Sequence, residues 1–258
     1  MENNNNDIIK TELKNVNNNN EINEVESFQE INMHMYGQDL HNFFIFIDID
    51  NTIIKDNDKL ISKQIPKYIT LWKNKGAKII FLTHRFFSKN SVVECERLLS
   101  NNGIFLCALS DNLLDEDWKD SDNIIPIQST LLTFENYTTK TTNLLSFSYY
   151  CRNILFSRGN LIYENKSRKL YGLEELSDQE LLRRQSFNPF LTNNKGKTTK
   201  FFIEAYNKNF NNNNNNIVKH AIFIDDNFVF VQHVTENLKN NNIMTYIKGF
   251  HIKWKNIL

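Results

Sequence analysis

Phe43-Phe-Ile-Phe-Ile-Asp-Ile-Asp-Asn-Thr-Ile-Ile54 is a short apolar run ending in two carboxylates and a hydroxyl at alternate positions. Its apolar half fits a strand buried on both faces, as in a parallel sheet. Residues two apart in a strand point the same way, so Asp48, Asp50 and Thr52 converge if the chain stays extended that far. Carboxylates abutting an apolar strand need a metal, hydrogen bonds or solvent to compensate their charge. The strand tip is therefore a candidate metal and phosphate site. The plainer alternative is a strand running into an acidic turn, since Asp-Asn is common turn chemistry.

Working outward, strands alternate with amphipathic helices. A helix is expected over 24–36, before the strand Phe43 to Ile49. A helix capped by Ser62 runs to Lys75, with Pro66 in its first turn and Gly76 just past its end. A strand over Lys78 to Leu82, a helix over Ser88 to Asn102 and a strand over Ile104 to Ala108 follow. Residues 109–192 are the least regular part and are read as an insertion or cap. They contain the apolar segment Asn153 to Ser157 and a charged, helix-like stretch near 173–184. Alternation resumes with a helix over 196–208, a strand His220 to Ile224, a helix over 228–239 and a strand Ile243 to Ile247. The pattern predicts an α/β fold, a Rossmann-like three-layer sandwich around a mainly parallel sheet. In such sheets ligands bind beyond the carboxyl ends of the strands, where Asp48 and Asp50 stand.

The chain has 258 residues, 30 basic and 30 acidic, so its formal net charge is zero. No global field draws in nucleic acid or anionic lipid, and nucleic-acid binding is not indicated. No apolar run reaches the roughly 18 residues of a membrane span. The polar, acidic start is not a secretory signal. The three cysteines, Cys95, Cys107 and Cys151, are widely spaced and fit a reducing compartment, so a cytoplasmic or nuclear location is expected. Asparagine runs make residues 1–23 a disordered tail and 211–216 a surface loop within a single domain over 24–258.

Three further features stand at strand ends or helix starts. Thr83 ends the strand Lys78 to Leu82 and is followed by His84 and Arg85; Asn194-Lys-Gly-Lys197 opens a helix; Ile222-Phe-Ile-Asp-Asp226 ends a strand in two carboxylates. Asp-x-Asp-x-Thr, a strand-tip Thr, Lys-Gly at a helix start and a strand ending Asp-Asp, in that order, resemble the haloacid dehalogenase-like (HAD) superfamily of phosphohydrolases. The resemblance covers about residue 24 to the C-terminus, with the middle contributing little. Asp-Ile-Asp-Asn-Thr, Leu-Phe-Ser-x-Gly-Asn, Asn-Lys-Gly-Lys and Phe-Ile-Asp-Asp also look like an uncharacterised branch of it. Lys195 precedes Asp225 by 30 residues, or 24 without the six-asparagine run, room for one helix and one strand. Lys197 is the rival, but Lys195 carries the Lys-Gly pair. A phosphate-loop reading of Gly196-Lys-Thr-Thr fails because position 191 is Leu.

The resemblance implies Mg²⁺-dependent cleavage of a phosphate monoester through an aspartyl-phosphate. Asp48 is the expected nucleophile and Asp50 the general acid and base. Asp48, the Asp50 backbone carbonyl and Asp225 or Asp226 are the expected ligands of Mg²⁺. Thr83 donates to the transferring phosphoryl group, Lys195 balances its charge, and Arg85 is a phosphate or substrate contact. The expected partner is a phosphorylated substrate. Two other readings use the same residues: a catalytically inactive HAD-like binding scaffold, and a phosphotransferase sharing the first half-reaction. Only 35 residues separate Asp48 from Thr83, so any substrate-covering element falls between Thr83 and Lys195.

Overall fold

Alternation along Phe43–Asp48 (β2) divides its side chains between two cores. Phe43, Ile45 and Ile47 enter one, and Phe44 and Phe46 enter the other. All are buried, as expected of a strand covered on both faces. The structure is a computed structural model that describes residues 22–55, 57–105, 125–130, 145–158, 161–181, 195–209, 218–239 and 244–254.

Beside β2 the described chain forms the strands Ile22–Val25 (β1), Lys78–Phe86 (β3), Ile125–Thr130 (β4), Leu145–Cys151 (β5), Ile154–Arg158 (β6), His220–Asp225 (β7) and Tyr246–Ile252 (β8). Its helices include Phe28–His34 (α1), Ile65–Asn74 (α2), Lys89–Asn101 (α3), Leu161–Leu170 (α4), Lys195–Asn209 (α5) and Phe228–Lys239 (α6). The eight strands form one sheet in the order β1-β8-β7-β2-β3-β6-β5-β4. Pairing is parallel from β1 across to β6 and antiparallel for β6–β5 and β5–β4. The first core takes residues from α1, α2 and α3, and the second takes residues from α5 and α6, so helices flank both faces. The fold is α/β with a mostly parallel sheet. Among the described residues no helix is long and apolar enough to cross a membrane.

Several boundaries differ from the sequence reading. The helix expected over 24–36 begins only at Phe28. Residues 22–25 form the edge strand β1, whose Val25 is buried and aligned with Ile252. Ser27 caps α1 by accepting from the Glu30 amide at 3.2 Å, while Glu30 reaches back to accept from the Glu26 amide, one residue before the cap, at 3.1 Å. Ser62 does not cap α2, which starts three residues later without a side-chain cap. The first strand stops at Asp48, and β3 runs on past Leu82 to Phe86. Residues 104 and 105 are not in a strand, and the rest of 104–108 lies outside the described residues.

The described parts of 109–192 contribute β4, β5, β6 and α4. Arg152 (φ 50°) and Asn153 (φ 63°) make the two-residue turn between β5 and β6, with the double positive φ of a type I′ hairpin. The charged stretch near 173–184 is not a continuation of α4. Gly172, at φ 64°, ends that helix in the left-handed region, and Leu173 N–H donates back to the Arg168 carbonyl at 2.9 Å. One helical turn forms at 178–181, and residues 182–192 lie outside the described set. The last strand lies further along than expected, at Tyr246–Ile252, and passes through Gly249. A Cβ there would stand 2.5 Å from Val231 Cγ1 and 2.8 Å from Thr235 Cγ2, so the glycine lets α6 lie against β8. The expected tail 1–23, apart from its last two residues, and the 211–216 loop lie outside the described residues.

Candidate functional site

The strands β7, β2 and β3 are adjacent and parallel, so Asp225, Asp48 and Thr83 come to the same end of the sheet. Beyond Asp48 the chain does not stay extended. Asn51 takes φ 62°, and the Ile53 and Ile54 amides both donate to the Ile49 carbonyl at 3.0 Å. This tight turn separates residues that a straight strand would align. It brings Thr52 back over Asp48, with Thr52 Oγ1 3.1 Å from Asp48 Oδ2, and sends Asp50 toward Arg85 instead. The alternation of the three side chains on one strand does not hold; Asp48 and Thr52 meet through the turn.

Lys195, the first residue of α5, is the centre of the inner cluster. Its Nζ donates to Asp48 Oδ1 at 2.5 Å and to Asp225 Oδ2 at 2.7 Å, and all three residues are buried. The ammonium also lies 4.5 Å from the centre of the Phe230 ring, a cation–π contact. Thr52 Oγ1 lies 3.0 Å from Asp226 Oδ1 and accepts from the Asp226 amide at 3.0 Å. The Asn227 amide donates to Asp225 Oδ1 at 2.8 Å, while Asn227 Oδ1 accepts from the Val229 amide at 3.0 Å and starts α6. Carboxylate oxygens of Asp48, Asp225 and Asp226 lie within 4.8 Å of one another. Of the two candidate lysines, Lys195 is the one that bridges Asp48 and Asp225.

The Lys-Gly pair has a packing reason. At Gly196 an added Cβ would stand 2.4 Å from the His233 carbonyl oxygen and 2.7 Å from Asn237 Nδ2, so α5 begins against the backbone of α6. Glycine-to-alanine in an unobstructed helix stabilises by about 1 kcal/mol. Gly196→Ala is instead expected to destabilise by about 1–3 kcal/mol, because the helices must separate. A urea midpoint at or above wild type would overturn this account.

A second pair stands beside the cluster. Arg85 grips Asp50 with two bonds, Nε to Oδ2 at 3.2 Å and Nη2 to Oδ1 at 2.7 Å. Thr83 is fully buried; its Oγ1 accepts from the Arg85 amide at 3.1 Å, leaving its O–H to donate. The structure thus brings Asp48, Lys195, Asp225 and Asp226 together and pairs Asp50 with Arg85. Thr83 is linked to that pair through the backbone. Sequence reasoning left out Phe230, which carries no separate signal in a chain with 20 phenylalanines. It also assigned Thr52 no role, although Thr52 stands in the opening stretch.

The electrostatics show an excess of negative charge. Burial pushes the Asp48 carboxyl up to about 8, with Lys195 pulling the other way and Asp225 adding repulsion. Burial also raises Asp225 against the pull of Lys195. For Lys195, burial favours the neutral amine, but Asp48 and Asp225 outweigh it and hold the ammonium above its ordinary range. Three carboxylates around one ammonium are under-compensated, and hard oxygen donors this close suit a divalent cation. The cysteines offer no competing nucleophile among the described residues: burial pushes the Cys95 and Cys151 thiols up to about 12. Cys107 lies outside the described residues. His84 packs against Phe230, the ring that Lys195 also contacts, and its Nδ1 lies 3.1 Å from Ser157 Oγ.

Comparison of the chain with protein-family models, curated proteins and solved structures finds no match.

Proposed function

We propose that this protein is a Mg²⁺-dependent, HAD-like phosphohydrolase that cleaves a phosphate monoester through an aspartyl-phosphate on Asp48. The observation that carries the reading is Lys195 Nζ bridging Asp48 and Asp225 at the carboxyl ends of adjacent parallel strands, with Asp226 alongside. The resemblance in sequence expects these residue types to meet, and three separate segments supply them.

Asp48, Asp225 and Asp226 are the side chains that would hold a cation, which when bound would offset the negative charge of the phosphoryl oxygens. Lys195 on Oδ1 and Thr52 on Oδ2 fix the plane of the Asp48 carboxylate, so its attack on phosphorus requires little reorganisation. As the Asp48 O–P bond forms, the bond from phosphorus to the leaving oxygen breaks, and Asp50 supplies that oxygen's proton. Asp50 then takes a proton from water as the water attacks phosphorus, which releases phosphate and restores Asp48. The Thr83 O–H donates to the phosphoryl group during both transfers.

Initial rates on an aryl phosphate with Mg²⁺ and with excess chelator test the reading. Turnover with Mg²⁺ and at least a hundred-fold loss in chelator, on the order of the several kcal/mol a metal contributes, are expected. Equal rates in the two conditions would remove the metal from the account. Phosphate-mimic binding without turnover on phosphorylated metabolites, phosphopeptides and oligonucleotides would favour a binding scaffold. Transfer of the phosphoryl group to a second hydroxyl rather than to water would favour a phosphotransferase.

A further inference from the structure

The guanidinium of Arg85 is held from two sides. Its Nε and Nη2 grip Asp50, and its Nη1 lies 3.1 Å from Glu94 Oε1 on α3. The three residues come from three separate elements: the turn after β2, the end of β3, and α3. The β3–β6 ladder shifts register between Thr83 and Phe86, an irregularity that re-aims side chains at the strand end where Arg85 stands. Ser88 anchors the helix that carries Glu94, accepting from the Ser91 amide at 3.0 Å, and Phe87 is fully buried before it. A bidentate grip fixes a carboxylate's plane only while the guanidinium plane is itself fixed. Arg85 Nε and Nη2 are committed to Asp50, and Glu94 supplies the hold on the other end of the fork.

Resting on the phosphohydrolase reading, we propose that Glu94 is a positioning residue that acts through Arg85 to orient the Asp50 carboxylate for proton transfer. Glu94 reaches neither Asp48 nor the cation ligands. Its side chain is 52% exposed, so the pair adds little to stability, and its effect is confined to the rate. If Arg85 served only to bind substrate phosphate, loosening it would weaken binding. Because Arg85 orients Asp50, loosening it slows the chemical steps instead.

The experiment measures kcat and KM on one aryl and one alkyl phosphate with saturating Mg²⁺. It compares wild type, Glu94→Gln, Arg85→Lys and the double variant. Glu94→Gln is expected to lower kcat about five-fold with KM unchanged. Arg85→Lys keeps the charge but loses the fork, so its kcat is expected to fall further. The double variant is expected to match Arg85→Lys alone, because Glu94 has no route to the reaction except through Arg85. An unchanged kcat in Glu94→Gln, a raised KM with kcat intact, or losses that multiply in the double variant would each overturn the inference while leaving the phosphohydrolase reading in place. Absence of turnover by the wild type on both substrates would overturn that underlying reading.

Discussion

Asp48→Asn is expected to lower turnover of a phosphate monoester by on the order of 10⁴-fold or more, with the fold intact. The amide is the same size as the carboxylate, and its Oδ1 still accepts from Lys195 Nζ, now 2.5 Å from Asp48 Oδ1. Its Nδ2 comes to the position of Oδ2, where it donates to Thr52 Oγ1, and the Thr52 proton turns to Asp226 Oδ1 at 3.0 Å. Charge at this position contributes little to stability without a cation, since burial already pushes the carboxyl up to about 8. The urea midpoint of the variant is therefore expected to shift by less than the equivalent of about 1 kcal/mol. What the amide lacks is a nucleophilic oxygen able to form the acyl-phosphate bond. Rates on an aryl phosphate, read beside the unfolding curve, separate the two roles. Retained turnover in a folded variant would remove Asp48 as the nucleophile.

The sheet and much of the inner cluster were legible because they depend on strong local signals. Buried parallel strands are continuous apolar runs, and β2, β3 and β7 each carry one up to Asp48, Leu82 and Asp225. Glycines 76 and 103, at φ 91° and 77°, mark the ends of the second and third helices as the sequence suggests. What failed depended on local chemistry without a common signature. The β5–β6 hairpin turns on Arg152-Asn153, with no glycine to announce its two positive φ values. β1 is four residues long at the sheet edge, too short to show a period beside the helix that follows. The separation of Asp50 from Asp48 depends on a left-handed Asn51, a conformation that asparagine tolerates but does not require. Glu94 was invisible for another reason: an exposed acid on an amphipathic helix reads as solvated surface until its partner on β3 is placed.

Lys195→Met is expected to destabilise the protein by about 3–5 kcal/mol near pH 9, the cost of leaving buried carboxylates without their cation. The side chains are of similar length, and Met can rest on the Phe230 ring that now faces the ammonium at 4.5 Å, so the loss is electrostatic rather than a cavity. The sign of the pH dependence follows from the acids. Asp48 has a folded-state pKa pushed up to about 8 from an ordinary value of 3.8, and removing Lys195, which pulls it down, raises it further. Between those values the folded state holds more protons than the unfolded chain, so stability falls as pH rises through that window. Wild type and variant share that fall up to about pH 8; above it Asp48 ionises beside Lys195 in wild type but stays protonated in the variant, so the deficit is expected to be small near pH 5 and largest at pH 9. Excess Mg²⁺ is expected to restore part of the loss at pH 9, since a cation bound to the folded state alone stabilises it by mass action. Urea unfolding at pH 5 and pH 9, each with and without Mg²⁺, reads all three effects. A deficit that is the same at both pH values would mean that Lys195 contributes packing rather than charge, and the under-compensated carboxylates would no longer argue for a cation at this end of the sheet.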